Sequence, residues 1–528
     1  MDTNVADLVR NAASKSLKAW VCATRLPGVW VTWANLDELV DRAAAGFVSL
    51  GLVAGYRVLL AAGNLIEFAA SYLGALRAGL VVVPVNPRST TSWEFATLII
   101  DSGPRVILAD GQTVDRIRKA VAGLDEANAH GQGPDVDPKV VVLDGVAVGD
   151  EHSWSTLIAA EQAPAPPPRD AEALAVLLYT SGTSGNPRGA MLTHRALLAN
   201  ISQVANNDGS MIGPDDVVLG LLPLFHVYGL NAVLGQVVNQ QAELVLANGF
   251  DLAGTDLIEA EQITVLPLAP VVIAHWMSEV TADIDLAGEA CQRLVLCGSA
   301  PLAPELSRAF TERTGLVVHQ GYGLTEAAPV VSLTLGSEHP PSGTVGALVP
   351  GVQVRLVDES GSAPESEDAG EIMIKGDNLF SGYWPDGADG PDEDGWWPTG
   401  DMGFLDSSGA LFLVDRVKEL VIVSGFNVYP MEVEDILEEL PEVDSAAVIG
   451  VEDELTGEAV VAYLKPAAGS APEAVKDAAV RHVEARLARY KRPTHWHVVA
   501  DLPFTATGKV RKGMLRATER RRALGLLD

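Results

Sequence analysis

Between Thr32 and about Asp110 the apolar positions follow two alternating rhythms. Asn35–Leu50 and Glu67–Ala78 space them three and four apart, as on a helix with a buried stripe. Arg57–Ala62 and Leu80–Val85 are short apolar runs, the second rich in valine and ended by Asn86-Pro87, and both read as strands. Such alternation predicts βαβ units and a largely parallel sheet. Glu161–Asp170, rich in proline and alanine, reads as a linker. A second α/β stretch runs from about Val217 to Val318. Near Pro340 the rhythm shortens. Val352–Val357, Glu371–Lys375 and Ala410–Val414 are β-like runs set among Gly, Pro, Asp and Ser, which predicts a small, mainly antiparallel unit, and Pro385–Gly395 reads as a surface loop. After Arg416 the pattern is mixed again, with helices expected at Pro430–Leu440 and Ala471–Leu487 and strands at Ser445–Val451 and Glu458–Leu464. No internal repeat is visible. The expectation is an α/β protein with a large N-terminal body and a terminal module of roughly 110 residues.

Composition narrows the function classes. The 528 residues exceed what one small core organises, and 48% hydrophobic content suits globular packing. A formal net charge of −32 argues against nonspecific binding to nucleic acid or anionic membrane, and it makes each local cation informative. Cys22, Cys291 and Cys297 are scattered and odd in number, as expected of reduced thiols in a cytoplasmic protein. The start of the chain lacks an apolar run of signal-peptide type. The longest apolar stretch, Gly220–Val238, is interrupted by Pro223, His226, Asn231 and Gln236, so a soluble protein without a transmembrane segment is expected.

Several segments carry chemistry. The run Thr180-Ser181-Gly182-Thr183-Ser184-Gly185-Asn186-Pro187-Arg188-Gly189 follows the apolar Ala173–Leu178. A strand feeding glycines, hydroxyls and one cation is suited to holding phosphate through close backbone N–H groups, hydroxyl donors and a guanidinium. It is not a Walker loop, because no Gly-Lys-Ser/Thr closes it. Leu222-Pro223-Leu224-Phe225-His226-Val227-Tyr228-Gly229 sets a lone histidine in an apolar run. Cys297-Gly298-Ser299-Ala300-Pro301 is a turn at a strand end, the edge of an open α/β sheet where ligands sit. Gln320-Gly321-Tyr322-Gly323-Leu324-Thr325-Glu326 offers a ring, a hydroxyl and a carboxylate. Thr399-Gly400-Asp401 and Thr505-Ala506-Thr507-Gly508-Lys509 add a carboxylate and a lysine.

Together and in this order, from Thr32 to Lys512, these segments resemble the adenylate-forming superfamily of acyl-CoA synthetases, amino-acid adenylation domains and beetle luciferases. The resemblance implies an N-terminal domain over residues 1–415, with two α/β sheet subdomains and a small β-barrel-like one. It also implies a small mobile α+β C-terminal domain over 416–528, with a hinge at 416–418. By the same resemblance Thr180, Ser181, Gly182, Thr183, Ser184, Gly185 and Arg188 would wrap the ATP phosphates. Ser299, Ala300 and Pro301 would line adenine, with Tyr322, between Gly321 and Gly323, stacking on it. Thr325 would reach the α-phosphate, and Glu326 with Thr180 would hold Mg²⁺. Asp401 and Arg416 would take the ribose, and Lys509 would bridge the acid's carboxylate and the α-phosphate. Cations and N–H donors are required because an anionic carboxylate must approach an anionic phosphate. After rotation about Lys418, the segment Ser424-Gly425-Phe426 would face the site and leave room for the pantetheine of CoA. Arg188 stands where the superfamily commonly has lysine, and keeps the charge with a bulkier, fork-shaped group.

Phe225-His226 replaces the aromatic–aspartate pair that holds an α-ammonium in amino-acid adenylation domains, which favours an acid without that group. His226, Val227, Tyr228, Leu230 and Asn231 are the expected acyl pocket, with Ala232, Val233 and Leu234 extending its wall. The apolar lining favours a medium- or long-chain fatty acid, whose burial contributes about 0.8 kcal/mol per methylene. A coumarate-type aryl acid, its ring hydroxyl read by Tyr228 or Asn231, is the alternative. Free CoA is favoured over a carrier protein, since no domain-restraining insertion lies between Gly321 and Arg416. A homodimer is compatible with the sequence. A non-catalytic nucleotide or acyl sensor is the reading from another class, and ATP-dependent AMP release separates the two. Lys418→Pro is expected to impair thioester formation more than adenylation, and equal losses in the two half-reactions measured separately would count against the hinge.

Overall fold

A computed structural model of the chain describes residues 3–13, 19–22, 29–88, 90–129, 137–160, 170–180, 187–248, 253–279, 292–299, 302, 304–337, 340–341, 343–357, 362, 370–416, 421–428, 430–503, 510 and 512–523. The linker expected at Glu161–Asp170 lies outside them except for its last residue. Helical periodicity places the first long helix at Trp33–Ser49, where Thr32 accepts from the Asn35 N–H and Trp33, Leu36, Val40, Ala43 and Phe47 are buried. The helix Ile66–Arg77 is buried on every side, and a Cβ on Gly74 would lie 2.6 Å from that of Ala43. The helix Ser92–Ser102 opens with a capping box between Thr91 and Glu94 and stops at Gly103 in the left-handed region.

These helices cover a seven-stranded sheet in the order His152–Ser153, Lys139–Val142, Val106–Ala109, Arg57–Ala61, Val81–Pro84, Leu174–Thr180, Arg188–Thr193. It is parallel except for the final hairpin. In the second sheet the strands Ala19–Cys22, Glu243–Leu246, Val217–Gly220, Val265–Leu268, Leu294–Cys297 and Val318–Gly323 run parallel. Past Val330–Leu333 the sheet continues antiparallel through Thr344–Leu348, Leu411–Arg416, Trp397–Leu405, Gly370–Lys375 and Gln353–Val357, the unit expected after Pro340.

The Asn64 side chain, 3% exposed, joins the two sheets. Its amide nitrogen lies 2.9–3.3 Å from the carbonyl oxygens of Gly220, Leu221, Leu222 and Ala247, and its oxygen accepts from Leu224 N–H at 3.0 Å. The turn leading to His226 is therefore anchored to the opposite sheet.

A third sheet, Phe426–Val428, Val421–Val423, Gly457–Pro466, Val443–Asp453 and His495–Val498, forms the core of the small terminal module with the helices Pro430–Glu438, Pro472–Arg486 and Lys512–Ala523. It docks on the large body at the helix Ser92–Ser102. Glu94 accepts from Ala488 N–H at 3.1 Å and lies 3.4 Å from Lys491, which is also 2.6 Å from Glu432. Burial opposes charge on Lys491, but Tyr490, Glu432 and Glu94 outweigh it and hold the ammonium above its ordinary pKa. Among the described residues no helix is long and apolar enough to cross a membrane.

Candidate active site

Strand register places the phosphate-loop ends. Thr180 pairs with Arg188 across the terminal hairpin, so residues 181–186, which lie outside the described set, are bracketed by these two. A second chain segment runs against the hairpin: Met191 N–H donates to Gly382, Ser381 N–H to Met191, and Trp384 N–H to Gly189. Gly382 allows this turn with φ of +98°, where a Cβ would lie 2.1 Å from the Gly387 carbonyl oxygen. Tyr383 is thereby set beside Arg188, whose guanidinium carbon lies 3.8 Å from the ring centroid. Arg188 also pairs with the Asp389 carboxylate at 2.7 Å.

The turn bearing Thr325 and Glu326 is held from three sides by buried asparagine amides. Asn378 donates to Ala327 O (2.7 Å), Asn231 to Ala328 O (2.7 Å) and Asn200 to Val330 O (2.8 Å), with Val330 N–H returned to Asn200. Phe380 N–H donates to Glu326 O, and Tyr383 Oη donates to Glu326 Oε1 at 2.6 Å. A buried carboxylate near hydroxyls is the hard-oxygen donor type that Mg²⁺ takes. Among the described residues no group of three or more His, Cys, Asp or Glu could hold a metal. Tyr322 donates to Asp401 Oδ2 at 2.7 Å, and Asp401 pairs in register with Arg416, so three positions expected around the nucleoside converge.

The His226 turn is tight: Leu230 N–H donates to His226 O, and a Cβ on Gly229 would lie 2.2 Å from Pro223 O. It leads into the π-helix Tyr228–Gly235. The expected acyl pocket divides by exposure. His226 and Tyr228 keep partial exposure. Val227, Leu230 and Asn231 are 2%, 1% and 1% exposed and pack into the core. Asn231 spends its amide on Leu197 O and Ala328 O, which takes it out of the lining and makes it a support for the Glu326 turn. Burial lowers the His226 pKa to about 4, so the imidazole is neutral, and its Nδ1 accepts from Tyr228 N–H at 3.3 Å. The Tyr228 ring lies against Gly298, where a Cβ would approach it to 3.1 Å, and burial raises its phenol pKa. Burial likewise keeps the Cys297 thiol protonated.

Ser299, at φ +74°, ends the strand Leu294–Cys297. A Cβ on Gly425 would lie 3.9 Å from that of Ser299, so the Ser424-Gly425 turn of the terminal module abuts the expected adenine loop. Phe426 packs on Tyr490 with ring centroids 4.7 Å apart. Beyond Tyr490 a cleft of about 380 Å³ opens between the two domains, lined by Arg88, Arg116, Arg489 and Arg492 together with Trp93 and Glu484. Four arginines line this cleft, two of them also donating to backbone carbonyls, Arg116 to Thr90 O and Arg492 to Leu487 O and Glu484 O. The group was invisible to motif reading because Arg88 and Arg492 are hundreds of residues apart. Ala300, Pro301, Lys418 and Lys509 lie outside the described residues.

Comparison with known proteins gives a consistent picture. The profile described as AMP-binding enzyme matches residues 9–384, and that of the AMP-binding enzyme C-terminal domain matches 432–509. A 4-coumarate–CoA ligase 3 of Oryza sativa subsp. japonica is 34% identical over 511 residues, covering 94% of this chain and 88% of its own. A 4-coumarate–CoA ligase of Pinus taeda is 32% identical, covering 91% and 88%. Among solved structures, the amide bond synthetase McbA of Marinactinospora thermotolerans superposes with a TM-score of 0.83 at 27% identity, covering 98% and 99%. ATP-bound MatB of Rhodopseudomonas palustris superposes at 0.68 with 30% identity, covering 98% and 99%.

Two buried histidines set a pH limit on folding. His194, 1% exposed, accepts from Val5 N–H at 3.2 Å, and burial lowers its pKa to about 4, as for His226. Folded values below the ordinary 6.5 mean that the unfolded chain takes up protons first as pH falls. The stability these neutral rings contribute is complete above about pH 6.5 and is lost down to about pH 4. Urea midpoints should fall across that window, and His194→Gln should flatten the slope; an unchanged slope in the variant would refute the assignment.

Proposed function

The chain belongs to the AMP-binding enzyme family of the adenylate-forming superfamily, and on that premise we propose that it is an ATP-dependent aryl-acid–CoA ligase. The acid's carboxylate oxygen attacks the α-phosphorus of ATP, the bond to the β-phosphate oxygen breaks, and pyrophosphate leaves. The CoA sulfur then attacks the acyl carbon of the adenylate, its proton is lost, and AMP departs. Arg188, Thr180 and the loop 181–186 would hold the β- and γ-phosphates, Tyr322 and Ser299 the adenine, and Asp401 with Arg416 the ribose. Thr325 and Lys509 would neutralise charge at the α-phosphate. Mg²⁺, when bound through Glu326 and Thr180, supplies charge neutralisation on the departing pyrophosphate. The division at 416–418, with Lys418 as hinge, is retained in this proposal.

The observation that carries the aryl reading is Tyr228, a protonated phenol whose ring lies on Gly298 beside the turn of neutral, partly exposed His226. This flat wall suits a ring, and its hydroxyl can pair with a ring hydroxyl. The coumarate-ligase relatives at over 30% identity support the same choice, and replace the fatty-acid expectation as the preferred substrate class. Free CoA as acceptor is supported by the arginine cleft, which complements the 3′-phosphate and diphosphate of CoA. The Gly425 turn and the Phe426–Tyr490 pair would connect that cleft to the acyl carbon, and the docked arrangement is the one expected for thioester formation.

Pyrophosphate exchange across coumarate, ferulate, benzoate, C6–C18 fatty acids and amino acids should peak with the hydroxycinnamates, followed by thioester release on adding CoA. A peak at one fatty chain length would overturn the aryl reading, and exchange with thioester only on a carrier protein, or only an amide with an added amine, would overturn the CoA assignment. Arg492→Glu should raise KM for CoA about tenfold or more while leaving pyrophosphate exchange intact. Dephospho-CoA should show the same penalty with the unaltered enzyme and little further penalty in the variant.

A further inference from the structure

One aromatic side chain joins two groups that the proposed chemistry needs on the same triphosphate. The Tyr383 hydroxyl donates to Glu326 Oε1 at 2.6 Å, while its ring face carries the Arg188 guanidinium at 3.8 Å. The ring is braced by Phe380, edge-on with centroids 5.0 Å apart, and Phe380 packs edge-on against Trp397 at 5.1 Å. Backbone pairing of residues 381–384 with Gly189 and Met191 fixes its position. We propose that Tyr383 is a positioning residue of the adenylation step: it spaces the cation that meets the β- and γ-phosphates from the carboxylate that meets their Mg²⁺. This assignment rests on the ligase reading above.

The arrangement gives a reason for arginine at position 188. A planar guanidinium spreads over a ring face and still presents N–H groups at its edge, whereas a lysine ammonium is a compact, strongly hydrated point charge. Asp389 does not supply that rigidity. Its side chain is 72% exposed, and an exposed ion pair contributes little. When a triphosphate enters, the edge of the guanidinium can exchange the Asp389 carboxylate for phosphate oxygen while the face stays on Tyr383. The hydroxyl of Tyr383, by donating to Oε1, fixes the orientation in which the Glu326 carboxylate would meet a metal ion. Both functions pass through a single side chain, so they separate by substitution.

Calorimetric titration of ATP, with Mg²⁺ and again in EDTA, reads the two functions without turnover. Tyr383→Phe keeps the ring and loses the hydroxyl: ATP affinity with Mg²⁺ should fall about tenfold, and affinity in EDTA should stay within about twofold of the unaltered protein. Tyr383→Leu should weaken binding under both conditions. Arg188→Lys should cost about fivefold in the native background and almost nothing beside Tyr383→Leu, because the stacked geometry is already gone. Thioester formation from synthetic acyl-AMP and CoA, which uses neither phosphate loop nor metal, should be unchanged in Tyr383→Phe. Equal losses for Tyr383→Phe with and without Mg²⁺, additive effects of the Arg188 and Tyr383 variants, or a matching loss in the acyl-AMP assay would each overturn the proposal. Absence of ATP binding by the unaltered protein would overturn the ligase reading itself, and this assignment with it.

Discussion

The buried amide of Asn64 is the contact on which the rest of the large body depends. Two sheets joined only through apolar packing would otherwise meet through side chains that slide, since apolar contact has no direction. Four carbonyl oxygens around one amide nitrogen and one N–H on its oxygen fix both the distance and the angle at which the sheets meet. The same contacts cap the end of the strand Val217–Gly220 and begin the turn to His226. The His226 turn is thus held by the seam between the sheets, while Arg188 sits on the hairpin edge of one sheet and Asp401 on the antiparallel extension of the other.

How much of this was legible in the sequence depends on the range of the interactions. Helices and strands followed from spacing alone, because amphipathic periodicity is a local record of which face is buried. The glycine and hydroxyl loop 181–186 stands out in the sequence for a similar reason, since holding phosphate would need backbone freedom within a few residues, and it lies outside the described residues. Tyr383, Asn200 and Asn378 were not legible as site residues, and Asn231 was read as acyl lining rather than as a support for the Glu326 turn. Each is an ordinary residue whose role comes from a partner 50 or more positions away, and no local pattern marks it. The arginine cleft needed the docking of two domains to exist at all.

The fatty-acid expectation rested on an apolar run whose hydropathy has another source. Val227, Leu230, Ala232, Val233 and Leu234 are apolar because they fill the core around the π-helix, each 2% exposed or less. Their hydropathy reports packing within the protein and carries no information about the acid. His226 and Tyr228, which keep partial exposure, are polar at one end. Charge tells a parallel story. In a chain of net charge −32, four arginines meet at the domain cleft.

Lys491 adds a consequence for the working cycle. In the proposed rotation of the terminal module, Lys491 and Glu432 would travel with it as a pair, and Glu94 would stay behind without its ammonium partner and without the Ala488 N–H. Parting would rehydrate ions that the docked arrangement keeps dry. Hydration of ions becomes less favourable as temperature rises, so warmth lowers the cost of keeping these groups dry. On the proposed hinge, such a contact would give the rotation a thermal bias, with cooling favouring the parted arrangement and warming the docked one.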